Sequence, residues 1–222
     1  MPSGSTSLKD PASALTHLLG LLGAVAGCVF LVLASLGDGP KLTSMALYGG
    51  SMVCLFGAST LYHSLDLGVR GNAVLRRLDH AAIFLLIAGT YMPALMHLLD
   101  GAWRVTMLSV VGGGAVAGML FKMMWIRCPD WLGTLLYLLL GWSVVVPAHL
   151  IVPQLSMWQL GWLVAGGLAY TLGAVIFVMR WPDPWPEHFG HHEVWHVFVL
   201  AGAGAHFLFT TTLVDAVRPG FG

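Results

Sequence analysis

Long stretches almost free of charge recur along this 222-residue chain and constrain its fold more than any other feature. A helix that crosses a ~30 Å hydrocarbon core needs about 17–25 residues. Backbone groups in lipid must bond within the structure, and continuous apolar runs favour helices over strands. The sequence therefore predicts an all-α integral membrane bundle of seven transmembrane helices. The seven stretches are Leu15–Leu36, Leu42–Leu65, Leu78–Leu99 (with Asp79 near its start), Val105–Phe121, Trp131–Leu150, Trp158–Met179 and about His192–Val214.

The composition excludes several other classes of protein. Apolar residues make up 57% and charged residues 9% of the chain, whereas a soluble domain is about 45–50% apolar and about 25% charged. Ten Lys and Arg balance ten Asp and Glu, so a nucleic-acid partner held by phosphate neutralisation is excluded. The high hydrophobicity excludes a disordered chain. Three widely spaced cysteines exclude a disulfide framework: Cys28, Cys54 and Cys128.

The connections between the apolar stretches are short and rich in turn residues, as in GDGP at 37–40 and WPDPWPE at 181–187. No linker divides the chain, so we expect one domain over residues 1–222, with a short polar N-terminal tail of about residues 1–13. The first apolar stretch is too long for a cleaved signal peptide. Glycine is abundant, with 28 residues, and small residues allow membrane helices to approach closely.

The distribution of Lys and Arg predicts the orientation in the membrane, because cytoplasmic loops carry an excess of both. With seven spans, one side collects Lys9, Arg70, Arg76, Arg77, Lys122, Arg127 and Arg180. The other side has only Lys41, Arg104 and Arg218. We therefore expect a cytoplasmic N-terminus and a C-terminus outside.

Ionisable residues at four helix ends converge on the predicted cytoplasmic leaflet. They are His17, His63, Asp79 and the pair His192 and His196. Ionisable groups in membrane helices are costly and usually face the interior of the bundle. This coincidence of depth predicts a functional site at that leaflet, whereas His97 and His149 lie at the opposite side.

The helical spacing favours a metal site. His192 and His196 are four residues apart and share one face of a helix, and residues 192–196 match the zinc-binding pattern HExxH. Together with His63 they would supply three zinc ligands and leave a fourth position for water, as in catalytic zinc sites. Asp79 would hold or deprotonate that water, or orient a histidine. Ser59 lies four residues before His63 and would hydrogen-bond an oxyanion or a ligand.

Simpler interpretations stand beside the metal site. A metalloprotease would use Glu193 as its base, but it needs a third ligand downstream, and here the motif opens an apolar span. Asp79 could form an interfacial ion pair with the nearby Arg76 or Arg77. Ser59 could bond the carbonyl four residues before it.

Solvation at the membrane interface is the simple expectation for His17, His97 and His149, and solvation in a Pro-rich loop for His188 and His191. His206 lies ten residues beyond His196, roughly 15 Å deeper, and is expected to be a buried hydrogen-bonding residue instead of a ligand.

Four segments of the chain resemble the hemolysin III family, within the progestin and adipoQ receptor superfamily that includes adiponectin receptors. They are Ser59–His63 (STLYH), Leu78–Ile83 (LDHAAI), Ile87–Pro93 (IAGTYMP) and His192–Gly202 (HEVWHVFVLAG), followed by His206. The resemblance runs over essentially the whole chain, from Ala14 to Phe207.

The resemblance implies seven transmembrane helices in a bacterial plasma membrane, with the N-terminus inside. It implies zinc near the cytoplasmic leaflet on His63, His192 and His196, with Asp79 near the metal water and Ser59 close by. Relatives of this type are similar to ceramidases, which are zinc-dependent lipid amidases. The family's first motif often has Glu and Asn ahead of Thr-His; here the segment is KDPASALTH over residues 9–17, so the role of that Glu is not carried over.

Three functions remain open from the sequence. The first is a zinc-dependent hydrolase acting on a lipid amide or ester, tied to membrane lipid homeostasis. The second is a pore-forming cytolysin, as the family name suggests, although the spans lack a stripe of charge suited to a wide channel. The third is a receptor-like lipid sensor in which zinc is structural. Membrane lipids are the expected partners in each case.

Overall fold

Long helices follow the apolar stretches. The structure is a computed structural model, which describes residues 8–216 and their side chains as far as Val214. The helices are α1 (Pro11–Leu33), α2 (Gly39–Ser64), α3 (Gly68–Leu98), α4 (Gly101–Met124), α5 (Asp130–Gly141), α6 (Ala148–Ile151), α7 (Met157–Met179) and α8 (His191–Ala216). The sequence prediction of an all-α membrane bundle is confirmed.

The predicted fifth span is bent instead of continuous. Helix α5 passes into a 3₁₀ turn at Trp142–Val145, and α6 passes into another at Val152–Gln154. The two halves meet at 41°. Pro147 lies at the break, where its ring lacks an N–H and disfavours a continuous helix. Among the described residues, six helices are each long and apolar enough to cross a membrane, and the number is seven if the bent pair forms one span.

Helix α3 begins ten residues before the apolar stretch that predicted it. The stretch begins at Leu78, whereas α3 begins at Gly68 and includes Arg70, Arg76 and Arg77. Hydropathy marks only the part of a helix that lies in lipid, and a helix can continue into the polar interface. Asp79 therefore lies within α3 instead of at its first turn.

Side-chain caps fix where several helices begin. Asp38 accepts a hydrogen bond from the Lys41 backbone N–H at 3.0 Å and caps α2. At α8, Asp183 Oδ1 accepts from the His191 N–H at 2.7 Å, and Glu193 Oε2 accepts from the Gly190 N–H at 2.8 Å. These contacts set the start of α8, and hence the position of the two histidines in its first turns.

The helices pack in a ring. Helix α2 packs against α1 and α3, α3 against α4, α5 against α4 and α7, and α7 against α8, which returns to α1. Close packing near the predicted site depends on Gly20 of α1, because a Cβ there would lie 2.6 Å from Phe56 of α2 and 2.7 Å from Leu200 of α8. Helices α1, α2 and α8 therefore meet one turn beyond His17.

The orientation in the membrane stays a prediction. Two of the lysines that we counted in loops are buried: Lys41 donates to the Val214 carbonyl at 2.8 Å, and Lys122 donates to Cys128 Sγ at 3.2 Å. Arg218 lies outside the described residues. Discounting one lysine on each side leaves the excess of Lys and Arg on the predicted cytoplasmic side unchanged.

A reporter fused after Gly222 is expected to be non-cytoplasmic, and a cytoplasmic signal from the full-length fusion would contradict the seven-span topology.

Candidate metal centre

Three histidines from two helices meet at one point. His63 ends α2, and His192 and His196 lie in the first two turns of α8. Each offers a ring nitrogen within 4.8 Å of the other two, and the Nε2 atoms of His63 and His192 are 3.4 Å apart. His63 and His196 are 3% and 2% exposed. The predicted triad is therefore assembled, and it could hold a metal ion.

Two residues at the start of α1 contact two of these histidines at Nδ1. Asp10 Oδ2 lies 3.0 Å from His63 Nδ1, and Thr16 Oγ1 lies 3.3 Å from His196 Nδ1. Both contacts engage Nδ1, and neither uses Nε2 of the ring. Helix α1 begins at Pro11, close to the predicted end of the polar tail at about residue 13.

His17 is part of the site, so the expectation that it is solvated is wrong. Its side chain is 3% exposed, and its Nδ1 lies 2.6 Å from Ser59 Oγ. Its ring stacks on His196, with ring centroids 3.6 Å apart and planes within 11°. The same contact shows that Ser59 bonds across helices to α1 and not to its own helix, as the simpler interpretation supposed.

Asp79 lies close to the histidine cluster but outside it. It is 8% exposed and lines the same cavity as His17, Ser59 and His196. Its nearest ionisable partner is its neighbour: Asp79 Oδ2 is 3.2 Å from His80 Nδ1. Within the described residues it forms no ion pair with an arginine, so the interfacial ion pair that the sequence allowed is not formed.

Glu193, the acidic residue of the HExxH string, has a structural role. Its Oε1 accepts a hydrogen bond from Ser13 Oγ at 2.6 Å, and its Oε2 accepts from the Gly190 N–H. Both oxygens are therefore engaged: Oε1 joins α1 to α8, and Oε2 bonds the residue just before α8. This arrangement argues against a metalloprotease, in which the glutamate acts as the base.

The other histidines lie away from the cluster. His206 is buried and its Nδ1 bonds the Gly202 carbonyl at 2.9 Å, which confirms the prediction. His149 is exposed, as predicted, beside Trp103. His97 is half-buried and bonds Ser44 Oγ at 3.1 Å, so simple solvation is wrong for it. His188 is exposed, whereas His191 is half-buried against Asp183.

Two spaces of different character meet at the cluster: a mostly apolar cavity, and a vestibule lined by many polar side chains. The apolar cavity, about 310 Å³, is lined largely by Leu86, Ile87, Leu163, Val164, Phe177 and Val199, and its polar end carries His17, Ser59, Asp79 and His196. The vestibule, about 450 Å³, is lined by polar residues that include Asp10, His63, Arg76, Asp130, Asp183 and Glu193. His192 lines both spaces. A metal ion on the three histidines would sit where the polar space adjoins the apolar one.

Comparison with known proteins agrees with the helical membrane fold. A family model described as "Haemolysin-III related" matches residues 6–207. The chain belongs to the haemolysin-III family. It is 33% identical to "Hemolysin-3 homolog" of Bacillus subtilis (strain 168) over 204 residues, which cover 91% of this chain and 92% of that protein. It is 32% identical to "Hemolysin-3" of Bacillus cereus over 201 residues, which cover 90% and 89%.

More distant relatives include proteins named as an adiponectin receptor and as heptahelical transmembrane proteins. The chain is 28% identical to "Adiponectin receptor protein" of Drosophila melanogaster over an alignment of 212 positions, which spans 86% of this chain and 48% of that protein. This similarity is consistent with the progestin and adipoQ receptor superfamily. This haemolysin-III family member is a multi-pass integral membrane protein.

Sequence reasoning missed the contribution of α1 to the cluster. His17 was placed at the right depth, but depth alone does not tell which way a side chain points. Asp10 and Thr16 contact residues 53 and 180 positions away. The one available signal was the Thr16-His17 pair, which opens the first span at the same leaflet as the triad.

Proposed function

We propose that this haemolysin-III protein is a zinc-dependent hydrolase that acts on an amide or ester of a membrane lipid. The observation that carries the proposal is the position of the histidine triad, between a polar vestibule and an apolar cavity. An amphipathic substrate fits that boundary, because its head group would occupy the vestibule and its hydrocarbon chain the cavity. Ligand pockets typically measure about 300–1,000 Å³ and are mostly apolar.

The donor set fits zinc. Two imidazole nitrogens bound at about 2.0–2.1 Å in a tetrahedral arrangement lie about 3.3–3.4 Å apart, and the Nε2 atoms of His63 and His192 are 3.4 Å apart. Three neutral histidines with one position left open are typical of catalytic zinc. When bound, zinc would lower the pKa of water to about 7 and polarise a substrate carbonyl.

Asp79 and Ser59 would have separate roles in the reaction. The Asp79 carboxylate, buried at the polar end of the cavity, would accept a proton from the attacking water. The Ser59 hydroxyl would hydrogen-bond the developing oxyanion or the substrate, held in place by His17. Apolar side chains would exclude bulk water from the far end of the cavity and so strengthen these polar contacts.

A receptor-like lipid sensor with structural zinc is the second candidate. The histidine triad joins α2 to α8, as a structural ion would, and relatives include a protein named adiponectin receptor. A pore-forming cytolysin is less well supported. The bundle centre is filled by large side chains that include Tyr48, Phe84, Leu95 and Phe209, whereas a wide channel needs a polar lining.

Lipid turnover by purified protein tests the proposal. Detergent-solubilised or reconstituted protein would be incubated with N-acyl and O-acyl lipids, with and without a zinc chelator, and released fatty acid would be measured. We expect release that the chelator abolishes and that added zinc restores. Bound zinc without any release across these lipids would favour the sensor, and release that survives complete zinc removal would contradict the proposed mechanism.

A further inference from the structure

Asp10, the residue just before α1, and Thr16 of α1 each contact one ring nitrogen of a histidine in the triad. Asp10 Oδ2 lies 3.0 Å from His63 Nδ1, and Thr16 Oγ1 lies 3.3 Å from His196 Nδ1. A neutral imidazole carries a proton on one nitrogen and a lone pair on the other. Whichever group bonds Nδ1 therefore determines whether Nε2 is able to bind a cation.

The chemistry of both partners places the proton on Nδ1. A carboxylate only accepts hydrogen bonds, so His63 Nδ1–H donates to Asp10. The single hydroxyl proton of Thr16 is directed to its own helix, where the Ala12 and Ser13 carbonyls each lie 3.0 Å from Oγ1. The Thr16 oxygen is then left to accept from His196 Nδ1–H. Both Nε2 atoms consequently present a lone pair.

The Asp10 side chain bonds His63 instead of capping its own helix. It occupies the N-cap position of α1, where Asp usually bonds the backbone of the first turn, yet its side chain makes no such bond. Backbone pairing holds the segment in place independently, because the Asp10 N–H donates to the His63 carbonyl at 2.9 Å and the Lys9 N–H to the Ser64 carbonyl at 3.5 Å. The carboxylate therefore bonds the imidazole instead of the first turn of α1, and the Lys9 ammonium lies 3.7 Å from the same oxygen.

We propose that Asp10 and Thr16 are positioning residues that hold His63 and His196 in the metal-binding tautomer and orientation. The inference rests on the proposed function, because it requires metal on the triad. It makes the N-terminal turns of α1 part of the site, although α1 contributes no ligand to the triad. Outer partners of this kind typically change metal affinity by about 10–100-fold when they are removed.

Zinc affinity of the purified full-length protein, measured by competition with a chromophoric chelator, tests the inference. Asp10→Ala and Thr16→Val are each expected to weaken zinc binding by about 10–100-fold. Asp10→Glu and Thr16→Ser, which keep the acceptor atoms, are expected to recover much of the wild-type affinity. The absorption spectrum of the cobalt-substituted protein should shift in the first pair of variants, because the ligand rings lose their fixed orientation.

Matched controls separate positioning from folding. Asp38 caps α2 through its side chain, so Asp38→Ala should lower the melting temperature but leave zinc affinity unchanged. Thr60 bonds only a carbonyl of its own helix, so Thr60→Val should also leave affinity unchanged. Melting of the zinc-free variants in chelator reports any loss of fold directly.

The outcomes distinguish this inference from the proposed function. Wild-type protein that binds no zinc would overturn both. Wild-type zinc affinity in Asp10→Ala and Thr16→Val, with the wild type metal-loaded, would overturn only the positioning role. An equal loss of affinity in the Asp38→Ala control would also overturn it, because the effect would then follow from stability alone.

Discussion

Replacement of His63, His192 or His196 by alanine is expected to remove zinc from the purified protein. Each residue supplies one of only three nitrogens in the cluster, so its loss leaves two ligands and a second open position. We expect affinity to fall by more than the about 10–100-fold that loss of an outer partner costs. Metal analysis after gel filtration, with protein quantified in the same fractions, measures the effect.

Other histidines of the same chain are the controls for this experiment. His149→Ala changes an exposed residue and should retain a full complement of zinc. His17→Ala is the more demanding comparison, because His17 stacks on His196 but offers no nitrogen to the triad. It should retain most of the metal. Full retention of zinc in any one of the three triad variants would remove that residue from the ligand set.

Asp79→Asn is expected to retain zinc and lose most hydrolytic activity. Asp79 is not among the residues whose atoms form the cluster, so its loss does not remove a ligand. Asparagine keeps the size and one acceptor of the side chain but cannot take a proton, and general-base catalysis contributes about 10²–10⁴-fold. Zinc content and fatty-acid release, measured on the same preparation, give the two readouts.

A carboxylate far from the cavity provides the comparison for Asp79. Asp100 pairs with Arg104, and its side chain is 95% exposed, so Asp100→Asn should leave both zinc and activity unchanged. Undiminished release by zinc-loaded Asp79→Asn would exclude Asp79 as the base. Loss of zinc in Asp79→Asn would instead make the carboxylate a support of the metal, which is closer to the sensor interpretation.

The sequence was sufficient to predict the triad because the bilayer constrains how deep each residue of a membrane span lies. Each apolar span fixes the depth of the residues at its ends, and the helical period places His192 and His196 on one face. His63 was then the one histidine of α2 at the matching depth. Depth could not tell which residues at that level point inward, so His17 was assigned to solvent although it is buried against Ser59.

Local sequence was also insufficient where a side chain has two possible partners. Glu193 in an HExxH string resembles a catalytic base, but Ser13 and Gly190 engage both of its oxygens. Asp10 stands where a helix cap is expected, but its carboxylate bonds His63. In each case the competing partner comes from a distant segment or an irregular connection, and its approach depends on how α1 packs against α2 and α8.

The sequence by itself determined the membrane bundle and the side of that bundle on which the polar residues gather, because hydropathy and helical rise are properties of the chain alone. Only the tertiary structure decided the bend in the fifth span and the contacts of Asp10, Thr16 and His17. These features depend on the rotation and lateral packing of whole helices. Many combinations of side chains on neighbouring helices would satisfy the same pattern along the chain, and close packing at residues such as Gly20 selects one of them.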